Sequence, residues 1–264
     1  MDIPFEILAL FAVAGLFAGV VDAIAGGGGL VTVPVLLLGG LDPVSAIATN
    51  KLQGAIGTAA ATARFAQAGM LETRSPATWG LAAAAFLGAV AGAALVSFAP
   101  VAFMRAALPF LLIAVALYFA FGPRLSDVDG RARLGPVAFA LGVAAPIGAY
   151  DGVFGPGAGA FYMIGLVGLA GLGAVKAVAR TKLLNLASNL AGLIVFILAG
   201  HVVWSAGLAM SAGTLLGARL GAGLALKHGV GLVRPLVIVV ALALSARLMF
   251  DPAHPVGAAL RAAF

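Results

Sequence analysis

The sequence predicts an all-α integral membrane protein built as two inverted repeats of about five transmembrane elements each. Three observations predict it: an apolar composition, apolar segments of two distinct lengths, and one unusual motif that occurs twice. Of 264 residues, 63% are hydrophobic and 9% are charged, with a mean hydropathy of +1.16. Soluble domains carry about 25% charged residues, so this chain cannot cover a water-facing surface. An outer-membrane barrel is excluded because the apolar residues run continuously instead of alternating with polar ones.

The apolar segments fall near 5–24, 30–41, 44–66, 77–98 and 104–121, then near 135–153, 159–171, 175–199, 205–226 and 232–249. The first could be mistaken for a signal peptide. It has no basic n-region, since Asp2 and Glu6 are the only charges before it, and it leads straight into the first motif, so it reads as a retained span. A full span needs about 20 residues. The second segment of each set is too short for one and reads as a half-helix, a re-entrant piece or a strongly tilted helix.

A shift of 129 aligns Asp22 with Asp151, Gly88 with Gly217, Gly92 with Gly221 and Arg105 with Arg234. Between the motifs the second copy is two residues longer, so Lys51 meets Lys182 and Gly69 meets Gly200 at a shift of 131. The chain therefore divides into a first repeat, 5–122, a polar linker, 123–133, and a second repeat, 134–250, within one membrane domain over 1–264. If the short segment crosses, each repeat has an odd number of crossings and the two are inverted. One side then receives Arg64, Arg74, Arg124, Arg131, Arg133, Lys176, Lys227 and Arg234, and the other little beyond Arg105 and Arg261. That asymmetry satisfies the positive-inside rule and places both termini outside. Eight spans in two parallel repeats is the alternative. The net charge of +6 is accounted for by these segment-end residues, which form no basic stripe for nucleic acid.

The repeated motif carries the chemistry. GVVDAIAGGGGLVTVP is followed by ATNK, and GAYDGVFGPGAGAFYM is followed by ARTK. Glycines that break an apolar segment free backbone groups, which membranes tolerate only under cover of protein or water. The backbones at Gly28, Gly29 and Gly157 can cradle an anion at the start of the following short helix. Close helix packing is the plainer use of glycine, and it suits the pairs Gly15/Gly19, Gly88/Gly92 and Gly217/Gly221. The run Thr49-Asn50-Lys51-x-Gln53 has as its counterpart Arg180-Thr181-Lys182-x-x-Asn185, with Asn189 one turn on. Charges inside a membrane pair or face a water-filled cavity. Amides and ammoniums donate hydrogen bonds, so a cavity they line suits an oxyanion. Lys51 and Lys182 could instead snorkel from helix ends. Asp22 and Asp151 could accept from those lysines, carry a coupling proton, or cap helices before the glycine turns. His201 reads as an interfacial loop residue, and Trp79 and Trp204 as interface anchors. With no cysteine and scattered histidines the sequence offers no metal site, no cofactor site and poor material for an enzyme.

These residues give the chain a resemblance. GVVDAIAGGGGLVTVPVLLLGGLDPVSAIATNKLQGAIGT, YDGVFGPGAGAFYMIGLVGLAGLGAVKAVARTKLLNLASN and FILAGHVVWSAGLAMSAGTLLGARLGA together resemble the TauE/SafE family of sulfite and organosulfonate exporter-like proteins. The likeness covers about residues 5 to 250. It implies a multi-pass protein of the bacterial inner membrane that exports a small organic or inorganic sulfur oxyanion, such as sulfite or sulfoacetate, with lipid as its surroundings. Arg180 departs from the family, where many members carry a small residue before the Thr-Lys pair. A passive anion channel is the alternative reading.

Overall fold

The computed structural model describes residues 3–96, 100–121, 128–228, 242 and 246, and what it describes is helical. The expected segment 232–249, with Arg234, lies almost wholly outside the described residues, as do Arg124 and Arg261. Among the described residues nine helical elements follow in order: α1 (Phe5–Ala25), α2 (Gly29–Leu38), α3 (Pro43–Gln67), α4 (Pro76–Val96), α5 (Val101–Phe121), α6 (Pro136–Val153), α7 (Ala158–Gly168), α8 (Ala174–Leu198) and α9 (Trp204–His228). Five of these, α1, α4, α6, α8 and α9, are long and apolar enough to cross a membrane. Their outward faces carry large apolar side chains: Leu198 is 84% exposed and Leu95 71%. In water such a surface would be untenable; against lipid it is the expected one.

Local chemistry sets the ends. Asp42 caps α3 by accepting from Val44 and Ser45, with Pro43 in the first turn. Gly69 and Gly200 end α3 and α8 alike, at φ 72° and 75°, and the next amides, Met70 and His201, reach back to Phe65 and Phe196. Helix α6 is interrupted by a π turn at Ala140–Ala144. Pro146 follows at once; it has no N–H for the Gly142 carbonyl and its ring would collide there, so the backbone widens by one residue.

The two short helices turn back along the helices that precede them. Gly28 lies against Ala18 and Asp22, whereas Gly39 lies against Phe11, so α2 runs antiparallel to α1. Likewise Tyr150 donates to the Pro156 carbonyl at 2.6 Å, Tyr162 donates to the Ala144 carbonyl at 3.3 Å, and Gly165 meets Val143 and Phe139. Each pair is a fold-back hairpin. At ten and eleven residues α2 and α7 are about 15–17 Å long, half of a hydrocarbon core.

Glycine contacts also fix the directions of the long helices. Along α1 and α9, Gly15 meets Met210, Gly19 meets Thr214 and Ala218, and Gly221 meets Val20, so the two run parallel. Along α4 and α6, Gly88 meets Ala145, Gly92 meets Ala149 and Gly152 meets Ala89, again parallel. Backbone meets backbone here, the close approach that the small-residue pairs predict. In contrast Gly54 of α3 meets Asn189 of α8, and Gly192 of α8 meets Lys51, so α3 and α8 cross in opposite directions.

Loop contacts sort the polar ends into two groups. The linker meets the α7–α8 loop through Gly130 to Gly171 and Arg133 to Leu169, and Lys176 pairs with Asp129. At the opposite group, the Val203 amide donates to Thr49.

Candidate functional site

Where α3 and α8 cross, both hairpin breaks come to them. Gly26 sits at φ 74° and Gly155 at φ 91°, left-handed conformations that a side chain would strain, and they occupy equivalent places in the two repeats. A Cβ on Gly26 would run into Gly159, and one on Gly29 into Pro156, so the two breaks touch one another.

Each lysine reaches the other repeat's aspartate. Lys51 Nζ lies 2.7 Å from Asp151 Oδ1 and also donates to the Asp151 carbonyl. Lys182 Nζ lies 3.0 Å from Asp22 Oδ2 and also donates to the Asp22 carbonyl. Both lysine side chains are fully buried. The snorkelling reading is therefore displaced: these lysines point inward and cap the C-terminal carbonyls of α1 and α6, where a helix presents partial negative charge. The antiparallel crossing explains the exchange of partners, since it lays each lysine beside the opposite hairpin.

Between these pairs lies a polar cavity of about 460 Å³, counting its open mouth. From the first repeat it is lined by Asp22, Gly26, Gly28, Gly29, Asn50 and Gln53; the second contributes Asp151, Gly155, Gly159, Asn185, Asn189 and Thr214. Six of the polar or charged residues singled out in the sequence thus share one space. Lys51 and Lys182 stand behind it, neutralised. Thr181 is buried outside the lining, its hydroxyl without a hydrogen-bond partner among the described residues. Gly157 starts α7 without reaching the lining. Arg180 turns away and pairs with Glu72 at 3.0 Å.

A hydrogen-bonded chain braces one wall. Thr32 donates to Asn50 Oδ1 at 2.6 Å, Gln53 Nε2 donates to the same oxygen at 2.6 Å, and Thr214 donates to Gln53 Oε1 at 3.0 Å. With Asn50 Oδ1 committed to accepting, its amide nitrogen is left facing Gly155 and the cavity. On the other wall Asn189 donates to the Asn185 carbonyl at 2.8 Å, and Asn185 Oδ1 is buried without a partner among the described residues. Thr32, Ser188 and Thr214 were not singled out in the sequence. Their repeat equivalents are Phe161, Gly57 and Ala85, so no repetition marks them.

A protein-family model described as sulfite exporter TauE/SafE matches residues 11–248. The chain belongs to the TauE/SafE family. This TauE/SafE protein is 45% identical to a probable membrane transporter protein, ORF9, of Sinorhizobium sp, over 96% of this chain and 97% of that one. It is 40% identical to a probable membrane transporter protein of Haemophilus influenzae, over 95% and 98% of the two chains. It is 42% identical to the probable membrane transporter protein YfcA of Escherichia coli K12, over 94% and 91%. No solved structure gives a significant match. TauE/SafE membership, with five helices fit to cross a membrane, makes this a multi-pass membrane transporter.

Proposed function

We propose that this protein carries a small sulfur oxyanion, sulfite or an organosulfonate such as sulfoacetate, outward across the bacterial inner membrane by alternating access. The observation that carries the reading is the cavity itself: amides of both repeats and both helix breaks meet there, between ion pairs that tie the repeats together. Discontinuous helices that open their backbone to a mid-membrane site are a recurrent transporter design. Asn50, Gln53, Asn185 and Asn189 would ligate the anion's oxygens, the Gly28 and Gly29 backbone would cradle it, and Lys51 and Lys182 would hold the flanking aspartates from behind. Arg180 and Thr181 would act on the route to the site.

The same contacts support inverted repeats. In the fold-back hairpins the chain returns to the side on which it entered, so the first repeat makes three net crossings and the second begins on the opposite side. Equivalent helices must then oppose each other, and α3 and α8 do. Parallel repeats would set them in the same direction. Arg74, Arg131, Arg133 and Lys176 gather at the ends that would face the cytoplasm.

The test is a thermal-shift and flux series on the purified chain with sulfite, sulfoacetate, isethionate and taurine. At least one should stabilise the protein and cross proteoliposome membranes. Asn50→Leu and Asn185→Leu should each weaken that response. No shift with any sulfur oxyanion would refute the substrate class.

A further inference from the structure

The two Asp–Lys pairs are not equivalent. Asp151 is sealed: its side chain is 4% exposed, Oδ1 receives Lys51, and Oδ2 receives the Ser188 hydroxyl. Asp22 is open to the cavity at 22% exposure. Its Oδ2 receives Lys182, and Oδ1 receives only a long bond of 3.3 Å from the Gly28 amide. The repeat supplies the reason. Ser188 corresponds to Gly57, so the first repeat has no hydroxyl to cap its aspartate.

We propose that Asp22 is the coupling-proton site of this transporter: a monovalent anion takes its place at Lys182 and the Gly28 amide only as a proton enters on Asp22. The inference rests on reading the cavity as an anion site. It starts from a count of charge. Two aspartates and two lysines sum to zero, and both lysines are fully buried. A monoanion added to that set would leave an uncompensated charge in a low-dielectric space, which is strongly unfavourable. A proton on Asp22 restores neutrality and removes the anion's rival for Lys182. The Asp22 carboxylate is a tethered stand-in for the substrate's own oxyanion, held by the donors an oxyanion would use.

The surrounding elements offer no substitute among the described residues. Helix α2 has no titratable side chain, and the Gly28 amide before it is the donor that faces Asp22. From α3 comes Lys51, engaged by Asp151. From α8 comes Lys182, while Arg180 turns to Glu72. The Tyr162 hydroxyl of α7 is bonded to α6. Helix α9 shows Thr214 to the cavity and keeps Arg219 and Lys227 on its exposed face. The proton comes from water at the cavity mouth and returns to water on the far side; the only bond made and broken is O–H. One proton moving with one monoanion is electroneutral, so the membrane potential does not act on the carrier; outward transport runs on the anion's own concentration gradient and is opposed by an acid-outside pH difference.

The test uses the full chain in weakly buffered detergent solution with isethionate, a monoanion at every pH used. About one proton should be taken up per isethionate bound, and affinity should fall as pH rises, approaching tenfold per pH unit. Asp22→Asn should bind with no proton uptake and a flat pH profile. In proteoliposomes wild-type flux should respond to an imposed pH difference and ignore an imposed potential. Binding without proton uptake, potential-driven flux, or a sodium requirement replacing the proton would overturn the proposal and leave the anion site standing. Absence of binding by isethionate and by the other sulfur oxyanions at any pH would overturn the anion site and this inference with it. Should Asp22→Asn fail to fold, the wild-type proton count decides.

Discussion

Removing one member of the Lys51–Asp151 pair should be among the most damaging changes this protein can suffer. The nitrogen and oxygen are 2.7 Å apart, Lys51 is fully buried and Asp151 is 4% exposed, so neither charge can turn to water once its partner is lost. Breaking a buried pair from one side costs about 3–5 kcal/mol. For a chain of this size each kcal/mol moves the unfolding midpoint by roughly 2–4 °C, so Lys51→Met or Asp151→Asn should lower it by about 6–20 °C. The double variant should recover much of that loss, because it leaves no unpaired charge behind. The assay is the fraction of detergent-solubilised protein that stays monodisperse after heating, read on a fluorescent fusion for wild type, both single variants and the double. Single losses within about 1 °C, or losses that simply add in the double variant, would refute the claim that the pair is buried and coupled.

Four further outcomes follow from the geometry. Gly217→Leu should force α1 and α9 apart, since even a Cβ there would clash with the Leu16 carbonyl, and about 1–3 kcal/mol or more should be lost in the same heating assay. Gly80→Ala, where a Cβ meets open space within α4, should be neutral or gain up to about 1 kcal/mol. The Asp129 carboxyl is held below its ordinary value, chiefly by its hydrogen bond with Lys176 and then by the Gly173 amide. A depressed carboxyl stabilises above the ordinary carboxylate range and stops doing so as pH falls through its folded value, so linker docking should persist at neutral pH and loosen in acid. Asp129→Asn should imitate that loosening at pH 8 and speed tryptic cleavage at Arg131 or Arg133 several-fold. Ala68→Cys and Ala199→Cys, at equivalent exposed positions in a chain without cysteine, should label from opposite sides of the membrane; labelling from one side would exclude inverted repeats.

Much of this fold can be read from apolar segment lengths, because lipid demands uninterrupted helices and glycine or proline marks where they stop. The segment expected over 77–98 is found at Pro76–Val96, and that over 175–199 at Ala174–Leu198. The one expected over 30–41 overshoots, since Gly39 and Gly40 are apolar by composition yet leave the helix. The π turn before Pro146 was hidden within a segment that hydropathy shows as continuous. The pairing of lysines with aspartates was open, and which lysine takes which aspartate depends on how α3 and α8 cross, a tertiary fact. Thr32 and Thr214 escaped notice for another reason. A threonine in an apolar helix ordinarily bonds to its own backbone, and both also do that, through Gly28 and Met210.

The parallel packing of α1 on α9 and of α4 on α6 has a mechanical consequence. Each pair joins one helix from either repeat through glycine-to-backbone contact. The parts that can move as solid pieces are therefore not the two halves of the gene product but two composites, each sewn from both. A chain cut in the linker should yield fragments that are useless alone and competent together, and any rocking that opens the cavity must slide one composite past the other along the α3–α8 crossing.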